Sequence, residues 1–375
     1  MRLLERAMAL AFGMLCAAGL QAATVETVGE WDDRCTYYYS GDVVEGDAAK
    51  VEALNTFGAG GATLCLNSGG GNFLEGLKLF DVIWNKQMNT RVLAGHTCAS
   101  ACAIAWLGGS VSEGSLGIKF PSRNIEPGAR LGFHAPYLVL PDGGSYDDSD
   151  VEWAYRVGIR HSQGIFDIHL AQFDEALALN QYLYRQTIAT PGEEMHWIDT
   201  VGEAVMSDVL VDSVVAPTSI KKANLVHLCE AAYMRHLDLS PGLTDAASRF
   251  ADLRTGSYKE DQVGSYFKND QEYWAIRLYG ERRRQYVCVL SDDRIASLLS
   301  NMKRYNAEKT YPYNGRAEVP HIHVDLRFAD VWPDGPLEDV LADLSGVDPY
   351  GQSTSVKLPF YALYDAGMPL RAIAR

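Results

Sequence analysis

Residues 64–71 of this 375-residue chain read Leu-Cys-Leu-Asn-Ser-Gly-Gly-Gly, an apolar run that ends in three consecutive glycines. The pattern predicts a buried strand followed by a tight turn. Glycine lacks the Cβ that would keep backbone N–H groups away from a ligand oxygen. Residues 73–84 then place apolar side chains at helical spacing. The sequence therefore predicts a strand, a glycine loop and a helix in direct succession.

Two further motifs carry the side chains that chemistry at such a loop needs. Residues 95–103 read Gly-His-Thr-Cys-Ala-Ser-Ala-Cys-Ala and set Ser100 among small residues. Residues 131–136 read Leu-Gly-Phe-His-Ala-Pro and place His134 after an apolar run. A serine hydroxyl is a weak nucleophile until a base removes its proton, and histidine is the usual base at neutral pH. A glycine loop, a serine and a histidine in this order are the parts that acyl transfer requires.

Taken together, these motifs resemble the Clp protease proteolytic-subunit family, in particular its periplasmic, Clp-protease-like branch within the crotonase-like superfamily. The resemblance rests on residues 67–71, 76–80, 99–101 and 132–136 and covers about residues 35–215. It implies an α/β fold with a crotonase/ClpP-like β-α superhelical core and a mainly parallel sheet. It says nothing about the rest of the chain.

The resemblance also implies roles for four residues. Ser100 would be the catalytic nucleophile and His134 its base, and the backbone N–H groups of Gly71 and Ala101 would form the oxyanion hole. Donors of this kind typically contribute about 3 kcal/mol each to transition-state stabilisation. The plainer alternatives are a tightly packed serine, a core histidine and a loop that needs unusual backbone angles.

The third member of a catalytic triad is where the sequence departs from the family pattern. Aligning Trp197 and Ile198 with the family's aromatic-aliphatic pair puts Met195 at the position of the orienting aspartate. Glu194 and Asp199 are nearby substitutes. An orienting acid fixes the histidine tautomer, and its loss can lower the rate by orders of magnitude. Three alternatives therefore stay open: a Ser–His dyad, a triad with a displaced acid, and a weak or inactive site.

The composition excludes one class of partner and the N-terminus predicts a compartment. The formal net charge of −15 argues against nucleic-acid binding, because no excess of Lys or Arg can neutralise phosphates. Residues 1–23 read as a cleaved signal peptide, with Arg2 and Arg6 before an uncharged run and small residues at the end. A short membrane anchor is the alternative, but the run is too short to span comfortably. We expect a periplasmic protein with no transmembrane span after cleavage.

Six cysteines follow the predicted signal peptide, an even number that permits disulfides in an exported chain. Cys229 and Cys288 form a plausible pair because both lie in the C-terminal region. Cys98 and Cys102 bracket Ser100, and a local bridge, other partners and two free thiols all stay open. A zinc site is disfavoured, since no second cysteine pair has ligand spacing.

Short apolar runs alternate with helical patterns up to about residue 215, which argues for an α/β domain with buried parallel strands. We expect Thr63–Asn67, residues 91–94 and Arg130–Phe133 to be strands of one mainly parallel sheet. The domains predicted after the signal peptide are a ClpP/crotonase-like domain at residues 24–215 and a small C-terminal α+β domain of unknown role at residues 216–375.

His321, His323 and Asp325 alternate along the C-terminal region. In a strand they would share one face, and His-x-His is a spacing found in metal sites. An exposed polar strand face explains the pattern more simply, so we expect no metal here and no cofactor elsewhere.

Three functions are compatible with the sequence. The favoured one is an exported, ATP-independent serine peptidase-like hydrolase that acts on a peptide or protein substrate. A homo-oligomer is compatible with this function. The alternative is a catalytically degenerate ClpP-like scaffold that binds peptides or a cell-envelope partner. A CoA-dependent crotonase-type enzyme fits poorly, because CoA thioesters are cytosolic and the chain carries an export signal.

Overall fold

The computed structural model describes residues 22–28, 34–56, 62–113, 118–137, 146–170, 172–173, 176–177, 179–239, 263–268, 270–279, 285–307, 319–329 and 354–375. The predicted signal peptide at residues 1–23 therefore lies almost entirely outside the described residues.

In chain order, the strands are β1 (Thr24–Thr27), β2 (Tyr37–Ser40), β3 (Thr63–Asn67), β4 (Asn89–Val92), β5 (Thr97–Ala99), β6 (Ser110–Glu113), β7 (Ile118–Pro121), β8 (Arg123–Ile125), β9 (Arg130–Phe133), β10 (Gln172–Phe173), β11 (Ala176–Leu177), β12 (His196–Ile198), β13 (Leu210–Val211), β14 (Val263–Lys268), β15 (Gln271–Tyr279), β16 (Gln285–Ser291), β17 (His321–Ala329) and β18 (Thr354–Pro359). The helices are α1 (Asp47–Glu52), α2 (Phe73–Asn85), α3 (Ala101–Leu107), α4 (Asp148–Leu170), α5 (Gln181–Ala189), α6 (Val201–Met206), α7 (Lys222–Leu239) and α8 (Asp292–Ala307), with 3-10 turns at Phe360–Leu363 and Leu370–Ile373.

A six-stranded sheet in the order β1-β2-β3-β4-β8-β13 forms the centre of the N-terminal part. The β1–β2 pair is antiparallel, and the other four pairings are parallel. The prediction of an α/β chain with a mainly parallel sheet is therefore confirmed. The strand predicted at residues 91–94 begins two residues earlier, at Asn89.

The predicted place of Arg130–Phe133 is wrong, because this strand lies in a separate three-stranded sheet of order β12-β9-β5. After β4 the chain turns at Gly95, which has a φ of 81°. Strand β5 then runs beyond the end of β3, where Ser68 and Cys98 form a parallel bridge. Strand β8 occupies the edge of β4 instead, so β9 pairs with β5 and not with the larger sheet.

Helix α3 is buried along its whole length and packs tightly against α2. A Cβ added to Gly76 of α2 would lie 2.7 Å from the carbonyl oxygen of Ala101, so only glycine allows the two helices to approach this closely. The Trp106 indole N–H donates to the Asn124 carbonyl at 3.2 Å and ties α3 to strand β8. Helix α3, which begins directly after Ser100, is therefore held against α2 at its start and against β8 near its end.

The C-terminal part contains a five-stranded antiparallel sheet in the order β14-β15-β16-β17-β18, together with α7 and α8. This region therefore combines helices with an antiparallel sheet. Residues before and after the predicted domain boundary at residue 215 contact each other. The Tyr361 hydroxyl donates to the Val209 carbonyl at 2.7 Å, and Val214 bridges Ala374.

The three polar residues considered as metal ligands lie on strand β17. His321 and His323 are exposed, and the Arg294 guanidinium donates to the Asp325 carboxylate at 2.8 Å. Within the described ranges, no group of three His, Cys, Asp or Glu side chains is arranged to hold a metal ion. Nor is any helix in those ranges both long and apolar enough to cross a membrane.

All six cysteines of the described residues form disulfides. The predicted Cys229–Cys288 pair is confirmed, and Cys98 bonds to Cys102, which decides among the alternatives left open for these two. The third bridge joins Cys35 to Cys65.

Candidate active site

Ser100 is the single residue between strand β5 and helix α3. Its φ of 56° and ψ of −125° fall in a sparsely populated region for a residue with a side chain. The Ser100 N–H donates to the Gly132 carbonyl at 3.0 Å, and the Ile104 N–H donates to the Ser100 carbonyl at 3.1 Å. A sharp strand-to-helix turn of this kind is how several hydrolases present a nucleophilic serine.

His134 follows strand β9, the parallel neighbour of β5. In that pairing Ala99 lies opposite Gly132, so Ser100 and His134 both follow the carboxyl ends of adjacent strands. Neighbouring strands lie about 4.8 Å apart. Both side chains line one small pocket of about 40 Å³. The structure gives no hydrogen bond between the Ser100 hydroxyl and the His134 ring, so their direct pairing stays a prediction.

The His134 ring is oriented by a backbone carbonyl. Its Nδ1 atom lies 2.8 Å from the carbonyl oxygen of Ala135. A carbonyl oxygen can only accept, so the proton of the neutral ring belongs on Nδ1. The Nε2 atom then keeps its lone pair, which is the tautomer that a general base needs.

Met195 occupies the place where the resemblance puts an acid. In the antiparallel β9–β12 ladder, His196 lies opposite Phe133. Continuing this register by one residue brings Met195 opposite His134. The Met195 side chain lies near Gly132, since a Cβ added to that glycine would lie 2.7 Å from Met195 Cγ, and a thioether cannot accept a proton as a carboxylate would.

Neither substitute acid stands beside His134 along this ladder. The register places Asp199 opposite Arg130, four residues along β9 from His134, or about 14 Å at 3.4 Å per residue. Asp199 and Arg130 line a different pocket. Glu194 is exposed in the turn before β12. The Ala135 carbonyl is thus the group that sequence reasoning missed, and no residue type could have signalled it.

The glycine loop is held between Val43 and Ser100. The Val43 N–H donates to the Gly70 carbonyl, and the Asn72 N–H donates to the Val43 carbonyl, both at 2.8 Å. Gly70 and Gly71 have φ values of 109° and 140°. A Cβ at Gly70 would lie 2.6 Å from the Ser100 Cβ, and one at Gly71 would lie 2.3 Å from the Val43 carbonyl oxygen. Only glycine fits at either position.

The two residues predicted to supply oxyanion donors, Gly71 and Ala101, both lie near Ser100. Gly71 lines the pocket, and Ala101 directly follows Ser100 in a fully buried position. The part of the chain that the structure describes offers no acceptor to the N–H of either residue. Their role as an oxyanion hole stays a prediction.

Apolar side chains form the rest of the pocket wall, namely Phe73, Ile104, Phe133, Pro136 and Tyr137. The Tyr137 ring lies 5.3 Å from that of His134 and is 52% exposed, so it forms the outer rim. A single water molecule needs about 10–15 Å³ of such space. The pocket therefore has room for a small group next to Ser100.

No family model matches the chain, and no curated protein matches it in sequence. Among solved structures, the chain is similar to a point mutant of ClpP1 from Listeria monocytogenes, with 18% sequence identity and a TM-score of 0.27. The match covers 44% of this chain and 81% of that chain. A likeness with so low a TM-score carries neither a fold family nor an activity, so any functional conclusion depends on the geometry of the pocket itself.

Proposed function

We propose that this chain is an exported, ATP-independent serine hydrolase of the peptidase type, with a crotonase/ClpP-like core. The observation that carries the proposal is the turn at Ser100. Its backbone has a strained conformation and its side chain shares a pocket with His134. Strained backbone at a non-glycine residue persists only where the surrounding structure enforces it, and such residues cluster at active sites.

The proposed mechanism uses groups that already line or adjoin the pocket. Ser100 Oγ attacks the substrate carbonyl carbon while His134 Nε2 takes the hydroxyl proton. The N–H groups of Gly71 and Ala101 stabilise the oxyanion, at about 3 kcal/mol each. His134 then returns the proton to the leaving amine, and water hydrolyses the acyl-enzyme. The Ala135 carbonyl holds the Nδ1 proton throughout.

We expect the enzyme to be slow, because the Ala135 carbonyl orients His134 where a complete triad would use a carboxylate. A carbonyl fixes the same tautomer as an aspartate would, which preserves the base. It carries no full charge, however, so it stabilises the imidazolium of the transition state less well. Catalytic hydrogen bonds also tighten when substrate binds, which is compatible with an unpaired Ser100 hydroxyl.

The disulfides support the proposed compartment. Three bridges join all six cysteines of the described residues, and such bonds persist mainly in oxidising environments such as the periplasm. The signal-like N-terminus supports the same proposal. An exported enzyme has no ATP supply, which is why we propose that it acts without an unfoldase.

Covalent labelling with a fluorophosphonate probe tests the proposal. We expect the wild-type protein to be labelled at Ser100, and Ser100→Ala and His134→Gln to lose the label. Ser149→Ala is the matched control, because Ser149 is an exposed serine at the start of α4. A folded wild-type protein that takes up no label, or a label that persists in Ser100→Ala, would contradict the proposal.

One observation favours the alternative of a degenerate scaffold. Met195 stands opposite His134, where an acid would complete a triad. A scaffold predicts a folded, unlabelled wild-type protein that still binds peptides in the Ser100 pocket. Ile104→Trp would fill this pocket and should abolish such binding.

A further inference from the structure

We propose that the Cys98–Cys102 disulfide positions Ser100 for nucleophilic attack, an inference that rests on the proposed hydrolase function. The two cysteines lie two residues before and two residues after Ser100. The bridge therefore encloses only the turn that presents the hydroxyl. Its role would be to hold that turn in the reactive geometry and not to stabilise the fold in general.

The bridge joins the two elements that meet at Ser100. Cys98 belongs to strand β5 and Cys102 to the first turn of helix α3, with a Cα–Cα distance of 5.2 Å. The exposed fractions of the two residues are 0% and 1%. The covalent link thus lies in the core, while the Ser100 side chain lines the pocket.

The other restraints on this turn are single non-covalent contacts. The Ser100 N–H bonds to Gly132 on the sheet side, and the Ser100 carbonyl accepts from Ile104 on the helix side. Gly70 packs against the Ser100 Cβ from a third direction. None of these contacts connects strand β5 directly to helix α3. The disulfide makes that connection, so it opposes relaxation of the strained φ and ψ of Ser100.

Loop length separates this bridge from the other two. Cys98–Cys102 has a sequence separation of 4, against 30 for Cys35–Cys65 and 59 for Cys229–Cys288. In the chain-entropy account, a disulfide stabilises a fold more as the loop it closes grows longer. The shortest bridge contributes least to global stability, and its main effect is local to Ser100.

The test compares two variants, each of which lacks one bridge, for their reaction with the fluorophosphonate. Cys98→Ala/Cys102→Ala removes the bridge at the turn, and Cys229→Ala/Cys288→Ala removes one remote from the pocket. A misplacement of about 1 Å lowers a rate about 100-fold. We expect the first variant to lose about 100-fold in the maximal labelling rate with unchanged half-saturating probe concentration. The second should lose thermal stability and keep its rate.

Graded reduction of the wild-type protein provides a second measurement that requires no folding of a variant. Dithiothreitol supplies two electrons and two protons to each bridge and becomes its own cyclic disulfide. The loss of labelling should follow the appearance of Cys98 and Cys102 thiols by mass spectrometry and should reverse on reoxidation.

The outcomes distinguish this inference from the function on which it rests. A wild-type protein that is labelled, together with a Cys98→Ala/Cys102→Ala variant labelled at the same rate, overturns the positioning role alone. An equal loss in both variants also overturns it, because the effect would then be general destabilisation. A wild-type protein without label overturns the proposed hydrolase as well.

Discussion

Replacement of Gly70 by alanine tests how closely the glycine loop controls the nucleophile. Gly70 has a φ of 109°, and its added Cβ would lie 2.6 Å from the Ser100 Cβ, 2.8 Å from the Ala99 carbonyl oxygen and 3.2 Å from Ser100 Oγ. Carbon atoms in contact normally stay about 3.5 Å apart or more. Ser100 or the loop must therefore move by about 1 Å.

The size of the effect has two parts. A sparsely populated backbone conformation costs a residue with a side chain about 1–3 kcal/mol. Overpacking of a tight site typically costs about 1–3 kcal/mol more. Gly46→Ala is a matched control, since Gly46 has a φ of 97° and its added Cβ would meet nothing within 4 Å. Gly70→Ala should therefore lose about 1–3 kcal/mol more than the control.

Urea denaturation measures the free energy of unfolding, and the fluorophosphonate rate reports the position of Ser100. A displacement of about 1 Å predicts about a 100-fold lower labelling rate for Gly70→Ala and a wild-type rate for Gly46→Ala. A Gly70→Ala protein that is labelled as fast as the wild type would refute the close contact. So would an equal loss of rate in both variants.

Three further predictions follow from buried or distant charged groups. Asp199→Asn should leave the labelling rate unchanged, because Asp199 lies about 14 Å along the ladder from the histidine. Burial raises the pKa of Tyr361 above its ordinary value near 10. Above about pH 10 the phenol therefore ionises only in the unfolded chain, so the free energy of unfolding falls as the pH rises. Tyr361→Phe should make this decline shallower by about 1.4 kcal/mol per pH unit in urea titrations. Arg91→Met should cost about 3–5 kcal/mol, because it leaves the buried Asp212 carboxylate without its ion-pair partner, whereas Arg156→Met in an exposed pair should cost under about 1 kcal/mol.

Each of these has a result that counts against it. A large loss of labelling in Asp199→Asn would name that carboxylate as the orienting acid after all. An unchanged slope of stability between pH 10 and pH 11 in Tyr361→Phe, at about the ordinary tyrosine pKa, would mean that the phenol is not protected. Equal effects of Arg91→Met and Arg156→Met would show that burial of the first pair is unimportant.

The sequence predicts the local elements of the site better than their arrangement. The apolar run and triple glycine correctly indicate strand β3 and its loop, and the helical spacing after it corresponds to α2. Strand β5 has only three residues, too few for periodicity to reveal, yet it determines where β9 pairs. An apolar run such as Arg130–Phe133 predicts burial and does not identify a neighbour.

The orienting group and the disulfide show two further limits of sequence reasoning. Every residue carries a carbonyl, so nothing in the sequence singles out Ala135 as the acceptor of the histidine proton. Cys98 and Cys102 are four residues apart, a spacing that suits a local bridge as well as two separate thiols. The fold decides both cases: the backbone after β9 brings the Ala135 carbonyl to 2.8 Å from His134 Nδ1, and the strand-to-helix turn at Ser100 brings the Cα atoms of Cys98 and Cys102 to 5.2 Å.

A crystal structure of the protein after reaction with a fluorophosphonate tests the central claim most directly. The account predicts phosphorus bonded to Ser100 Oγ, with the phosphoryl oxygen about 2.7–3.1 Å from the nitrogen atoms of both Gly71 and Ala101. His134 Nε2 should face the remaining oxygen, with Nδ1 still bonded to the Ala135 carbonyl. An adduct on another residue, or a phosphoryl oxygen directed to solvent and away from both N–H groups, would contradict it.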